Sequence, residues 1–509
     1  VELRDGVFSG PDMPADTSIW SIAAGIGLDF DVEQPNAPHV PAPDGASLPR
    51  LDLPAKMRGG GMIQDLLPAG TLHARVIRPP RLGALPDLDN LSTGDRAGLL
   101  VEGGFVAVVG EDPIALSRRF ERLARRIGWT GGVDLTPEML STQALRDLPF
   151  EAFEVGEPAG PATDGETVSA VFSRPYLMHG SIGCVTALAR LDEDGHLHVT
   201  SQTQGPYQLR DALAGWLGMH SSAITVTHAA GAGCYGHNGA DDVAADAALI
   251  STKYPGRTIR VSWSREEELA SSPLSPAGEV RIEATLGEDG KPLSLDLDIV
   301  SGTHARRPGT ASHGTLLAEI HATGSATLVP PIELPPMHGF GGLRNAMPPY
   351  PVAAKHARLR LVDPPGLRTS AMRGLGTFLN VFAIESFIDE LAGRADADPL
   401  DYRLSMLDDP RARDVLSRVA ENAGWSGRSA EHEGEGWGIA YSRYKDRAAY
   451  VAMVAQVTVA EEVRVNRIWA VADAGRVINL DGLRNQIEGG ILQSMSCALF
   501  EEVRLTEDE

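Results

Sequence analysis

The sequence predicts an α+β chain with two large lobes, and three observations carry that reading. Strand-like and helix-like stretches alternate along most of the chain, each bounded by turn residues. Its 55 glycines and 35 prolines, among 509 residues, exceed the roughly 12% combined usage of average chains. With aromatics at 6% and no internal repeat, this favours a loop-rich globular enzyme over a helical bundle. At 43% hydrophobic the chain can bury a large core, and about 150 residues per domain suggests roughly three domains.

Taken in order, residues 1 to about 50 read as an irregular, Pro-rich segment. Residues 51–150 read as a compact α+β unit. Its strands are expected at 72–78 and at 99–102 and 105–109, the last two flanking Gly103-Gly104 as a hairpin. Leu116, Phe120, Leu123 and Ile127 recur at helical spacing, and the arginines between them (118, 119, 122, 125 and 126) read as a solvated face rather than an anion site. GEPAGPATDG, residues 156–165, is a linker by composition. Beyond it, strands 185–191 and 196–201 flank DEDG as a hairpin. Pro206 opens a helix that Gly218 stops. Strand 224–228, a glycine loop, a helix near 242–252 and strand 258–263 follow. Residues 301–350 are rich in glycine and proline and resist assignment. A helix over 378–391 places Val381, Ile384, Ile388 and Leu391 on one face. Then come a helix at 415–423, strands 450–459 and 463–471, and a last helix over 481–502. The expected lobes are 166–410 and 411–509, the second incomplete.

A net charge of −23 repels phosphate backbones, so nucleic acid is not an expected partner. Three scattered cysteines make no disulfide framework. The longest apolar run, 448–455, falls far short of the roughly 18 residues a membrane span needs. The chain opens on VELRDGVFSG and ends on EEVRLTEDE. Both ends read as cut, so a longer protein is expected.

Four segments hold candidate chemistry. GAGCYG, residues 231–236, matches a dinucleotide-binding fingerprint in form. The following helix starts only after HNGA, however, and Asp241 and Asp242 in its first turn would repel a pyrophosphate. A loop offering bare backbone to a bulky ligand is preferred. Gln202 and Gln204 stand where a strand gives way to a helix, and an amide there can donate to a ligand oxygen without adding charge. Arg373 precedes Gly374 and Gly376 at the start of a helix and could grip an oxyanion or make an ordinary salt bridge. In NQIEGGILQS, Gln486 lies beside Gly489-Gly490, and two adjacent glycines cost a helix about 1 kcal/mol each, which points to a close neighbour. Around Ser181, HGSIG has histidine where a nucleophile elbow needs glycine. The histidines and cysteines show no pair at zinc-site spacing.

In order along the chain, RPYLMHGSIG, QTQGPYQLRDALAGWLGM, GAGCYGHNGADD, RTSAMRGLG, FAIESFIDELA, YSRYKDRAAYVA and DAGRVINLDGLRNQIEGGILQS resemble the molybdopterin-binding large subunit of the xanthine dehydrogenase/aldehyde oxidase family, in its isoquinoline 1-oxidoreductase and nicotinate dehydrogenase branch. LDLPAK followed by LHARVIRPP resembles the start of that family's small hammerhead-like domain. The resemblance implies a hammerhead-like domain followed by a large two-lobed cofactor-binding domain. It assigns Gln204 to the catalytic glutamine at the molybdenum oxo ligand. It gives Gly233, Tyr235 and Gly236 to the glycine loop facing the metal site, Arg373 and Gly374 to the pterin region, and Gln486 to a further cofactor contact. No side chain is implied as a metal ligand, since the pterin dithiolene holds molybdenum. The implied chemistry is oxidative hydroxylation of an N-heteroaromatic compound or aldehyde by water-derived oxygen, with electrons leaving through iron–sulfur clusters. The implied cofactor is molybdenum-molybdopterin in its cytosine dinucleotide form. No cysteine cluster here suits a [2Fe-2S] centre, so an iron–sulfur small subunit is an expected partner, with a cytochrome c as a further candidate. The family's catalytic glutamate is not found in context: VGEP at residues 155–158 copies part of its string, but Glu157 lies in the linker. A second chain completing the site is therefore also a candidate. The wider family's purine-binding acid aligns with Gly239, which argues against a purine substrate.

Overall fold

The computed structural model describes residues 2–4, 6–11, 14, 17–23, 45, 47–158, 165–428 and 433–505. The middle of the Pro-rich segment and residues 159–164 of the expected linker lie outside them. The chain divides into two compact units, residues 1–48 with 476–483, and residues 49–475 with 484–509. Within the first, Glu2–Arg4 pairs with Val7–Ser9 across Gly6, and Ile19–Ala23 is helical, so the opening segment is not wholly irregular.

The second unit holds three large sheets. In the seven-stranded sheet the order is Ile224–His228, Leu197–Ser201, Thr186–Leu191, Ile259–Ser262, Leu72–Ile77, Phe105–Gly110 and Leu99–Glu102. Leu72–Ile77 runs parallel to Ile259–Ser262, so strands of the expected hammerhead-like unit extend a sheet begun by lobe one. Helices Pro206–Leu217 and Ala240–Ser251 complete that core. The second of them is buried along its whole length, three aspartates included. Asp242 accepts twice from the Arg368 guanidinium at 2.9 Å and once from the Leu317 N–H at 2.8 Å. Asp246 takes the Trp263 indole N–H at 2.9 Å and pairs with Arg78. Charges this deep persist only when paired and hydrogen-bonded.

The five-stranded sheet has the order Phe150–Gly156, Ala354–Val362, Pro292–Gly302, Gly278–Leu286 and Glu166–Arg174. The two strands flanking the linker composition thus form opposite edges of one sheet. Helices Thr377–Arg394 and Pro410–Ala423, together with an antiparallel sheet of Glu435–Arg443, Tyr450–Val459 and Val463–Asp473, share its core. The expected lobe boundary at 410 therefore falls inside a continuous apolar cluster. Arginines of the helix Pro113–Ala124 are partly engaged: Arg119 donates to the Ala97 carbonyl, and Arg122 lies 3.6 Å from Asp95. Among the described residues no helix is long and apolar enough to cross a membrane.

Candidate functional site

Two of the four sequence segments are joined directly by backbone. The Arg373 N–H donates to the Tyr235 carbonyl at 2.7 Å, the His237 N–H donates to the Ala371 carbonyl at 2.7 Å, and Gly236 forms a β-bridge with Met372. The bridge demands glycine. At Gly236 φ is +133°, and a Cβ would lie 2.3 Å from the Ala371 carbonyl oxygen. Tyr235 itself takes φ +61°, an uncommon state for a bulky residue. The loop is held from behind by Gln202, whose amide donates to the Gly233 carbonyl at 3.3 Å and receives a Gln64 N–H at 3.3 Å. Gln202 is buried and structural, whereas Gln204, two residues on, is exposed beside the Cys234 thiol.

The third and fourth segments meet through Arg373. Its guanidinium donates to the Gln486 carbonyl at 2.8 Å and approaches the Gln493 amide oxygen at 3.5 Å. A Cβ at Gly490 would lie 3.5 Å from that guanidinium, an ordinary contact, so Arg373 packs beside the glycine pair on the helix Leu480–Leu499 without requiring glycine there. Arg373 thus grips a helix backbone from the cavity wall.

All four segments line one cavity of about 1460 Å³: Gln204, Tyr235, Gly236, Arg373, Gly374 and Gln486 are in its wall. Gly233 is not; it stands behind, and a Cβ there would lie 3.1 Å from the Tyr235 ring. Gly239 is also outside the wall, with Trp263 only 2.5 Å from where a Cβ would be. Glu157 lies at the end of Phe150–Gly156, its N–H bonded to the Lys355 carbonyl, and does not reach the cavity. Several lining residues were not singled out as site residues in the sequence: His304, Arg307 and Arg344, together with His179 and Tyr444, which stand inside the motifs RPYLMHGSIG and YSRYKDRAAYVA. All five lie in loops or a short turn, where no periodicity marks a side chain's direction. The His179 Nε2–H donates to the Ala371 carbonyl at 2.9 Å, and burial pushes its imidazole down to about 4. His304 is lowered in the same direction, by burial first and then by the charges of Arg174 and Arg344. Both rings are therefore neutral near pH 7, and each has an Nδ1 without a partner.

The wall thus offers amides, backbone, neutral imidazoles and arginines. Models of a molybdopterin cofactor-binding domain match residues 148–324 and 376–509. The chain belongs to the molybdopterin cofactor-binding family. It is 34% identical to a nicotinate dehydrogenase subunit of Pseudomonas putida, over 91% of this chain and 40% of that protein. The beta subunit of isoquinoline 1-oxidoreductase of Brevundimonas diminuta is 28% identical, over 91% of this chain and 59% of that protein. The chain therefore spans about half the length of these curated relatives, and it falls in their branch of the xanthine dehydrogenase family. The aldehyde oxidoreductase of Desulfovibrio gigas shares the fold, with a TM-score of 0.70 at 15% identity over 90% of this chain and 71% of that one. The cofactor of these domains is molybdenum-molybdopterin. The cavity fits such a group. It is roomy, its orphaned imidazole nitrogens leave hydrogen-bonding capacity for a ligand, and its arginines suit an anionic one.

Proposed function

We propose that this chain forms the cofactor-holding part of a molybdenum hydroxylase large subunit that oxidises an N-heteroaromatic compound or an aldehyde. The observation that carries this reading is the convergence of Gln204, Tyr235, Gly236, Arg373 and Gln486 on one cavity wall. When bound, the cofactor supplies a nucleophilic oxygen derived from water and an acceptor for two electrons. The protein's part is binding and orientation. Gln204 donates its amide N–H to the cofactor without adding charge, and the Tyr235–Gly236 backbone closes against it. Arg373 fixes the helix that carries Gln486, so the two amides keep a constant separation. The cytosine dinucleotide form of the cofactor, a [2Fe-2S] centre on a separate small subunit and a cytochrome c acceptor complete the proposed enzyme. Cavity-lining carboxylates among the described residues are Glu501 and Glu502; the first lies by Cys497 and the second pairs with Arg504. The general base is accordingly proposed to come from a further segment or a second chain.

Molybdenum analysis of the purified protein, assembled with its iron–sulfur partner, tests this. Stoichiometric molybdenum with turnover of an added heterocycle is expected. A metal-free, inert chain would favour a partner-binding role without catalysis. Quenching or enhancement of NADH fluorescence on titration would revive the dinucleotide-binding reading, which the buried Asp241 and Asp242 oppose.

A further inference from the structure

Among the described residues seven other than glycine have positive φ, and four of them lie in the cavity wall or directly beside it. Tyr235 and Leu375 line the wall, Asn345 follows the lining residue Arg344, and Lys445 follows the lining residue Tyr444. Backbone held in this region is costly and persists only where its surroundings over-determine it. One side chain connects the last two residues, whose φ are 58° and 54°. The Asn345 amide is buried and uses each of its ends twice. Nδ2 donates to the Arg443 carbonyl at 2.8 Å and to Asp446 Oδ1 at 3.1 Å. Oδ1 accepts from the Lys445 N–H at 3.0 Å and from the Thr377 hydroxyl at 2.9 Å. Asparagine suits the place, because it enters the left-handed region more readily than most residues and its amide supplies two donors and two acceptors.

The turn held in this way carries Tyr444. Its hydroxyl accepts from the Arg344 guanidinium at 2.8 Å, and among the described residues the hydroxyl proton has no acceptor. Arg344 is itself fixed. It donates to the carbonyls of His338 at 2.9 Å and Gly339 at 2.8 Å. Its charge faces the buried Glu333 carboxylate, which accepts from the N–H groups of Gly341 and Gly342. The guanidinium therefore needs no further anion, and it orients the phenol instead. A phenol that accepts from a cation is polarised and keeps its own proton to donate.

We propose that Asn345 is a positioning residue for Tyr444: it locks the turn that sets the Tyr444 hydroxyl against Arg344, so that the hydroxyl proton is offered to a ring nitrogen or an oxygen of a substrate in the cavity. The proposal rests on the molybdenum hydroxylase reading and adds a substrate contact to it. Asn345 is not in the cavity wall and acts only through its neighbour across the turn.

Fluorine NMR of the chain labelled with 3-fluorotyrosine tests this link without relying on turnover. The Tyr444 signal is identified by its loss in Tyr444→Phe, and the signals of the buried Tyr176 and Tyr402 report an intact fold. Asn345→Gly permits the left-handed backbone and removes the amide, whereas Asn345→Asp keeps the shape and loses both donors beside Asp446. In both variants the Tyr444 signal is expected to shift or broaden while the two controls hold. In the assembled holoenzyme, with isoquinoline as substrate, Asn345→Gly and Tyr444→Phe should each lower kcat/KM about fivefold at unchanged molybdenum content, as loss of one hydrogen bond provides. The double variant should be no slower than Tyr444→Phe, because both changes remove the same contact. An unmoved Tyr444 signal in Asn345→Gly, or losses that multiply in the double variant, would overturn the proposal. Movement of the two control signals in both Asn345 variants would overturn it as well, since Asn345 would then support the fold at large. A Tyr444 signal that depends on Asn345, in a holoenzyme that turns over no heterocycle, would sink the hydroxylase reading and leave the positional link standing.

Discussion

At Gly236 the backbone runs through a φ reserved for glycine, and the carbonyl of Ala371 occupies the space a side chain would need. The position ties the glycine loop to the arginine turn, so the two cannot shift independently. Gly236→Ala is expected to lower unfolding free energy by about 1–3 kcal/mol from backbone strain, with a steric term besides. Urea denaturation checks the first effect, and a fall in molybdenum content of the assembled enzyme checks the damage to the wall. Gln204→Ala separates the two. Being exposed, it should change stability by no more than about 0.5 kcal/mol while molybdenum occupancy or turnover falls. An unaltered occupancy and turnover in that variant would remove Gln204 from the proposed site.

At the scale of elements, Glu385 on the helix Thr377–Arg394 is the fastening point of the larger core. It accepts from Arg403 at 3.0 Å, from the Tyr350 hydroxyl at 2.7 Å and from the Tyr441 N–H at 2.8 Å, which binds a helix, a loop and a strand to one carboxylate. Arg403 is fully buried. Glu385→Ala would leave that guanidinium with Asp389 as its remaining carboxylate and would strip the Tyr350 hydroxyl and the Tyr441 N–H of their acceptor, at a cost of about 3–5 kcal/mol in urea unfolding. Adding Arg403→Met should recover part of the loss, because the buried charge that lost one of its two carboxylates is gone; strictly additive losses would contradict the coupling. Sequence pattern located the helix that carries Glu385, but not this network, since its members lie up to 56 residues from Glu385.

Across the whole molecule, the buried histidines set a pH dependence. His179 titrates at about 4 in the folded state against an ordinary 6.5, and burial lowers His304 and His321 as well. Below pH 6.5 the unfolded chain takes up protons that the folded chain refuses. Stability is therefore complete above that pH and declines as pH falls toward 4, by about 3 kcal/mol from His179 alone. Urea midpoints recorded from pH 7.5 to 4.5 should fall, and His179→Gln should flatten the slope; an equal slope in that variant would show that the ring is not held neutral.

Local chemistry made much of this protein legible. The helix after Pro206 and its stop at Gly218, and the strands Ile224–His228 and Tyr450–Val459, lie where turn residues and side-chain periodicity placed them. The four candidate segments were visible because glycine pairs and isolated amides stand out within a few residues. What only tertiary structure decided was partnership: that strands near residues 72–110 extend the sheet of 186–262, that Arg373 packs on Gly490, and that His304, Arg307 and Arg344 share a wall with Gln204. Periodicity reports how a side chain relates to its own helix or strand. Which distant surface that side chain meets depends on contacts summed over the folded core, and no short window of sequence contains them.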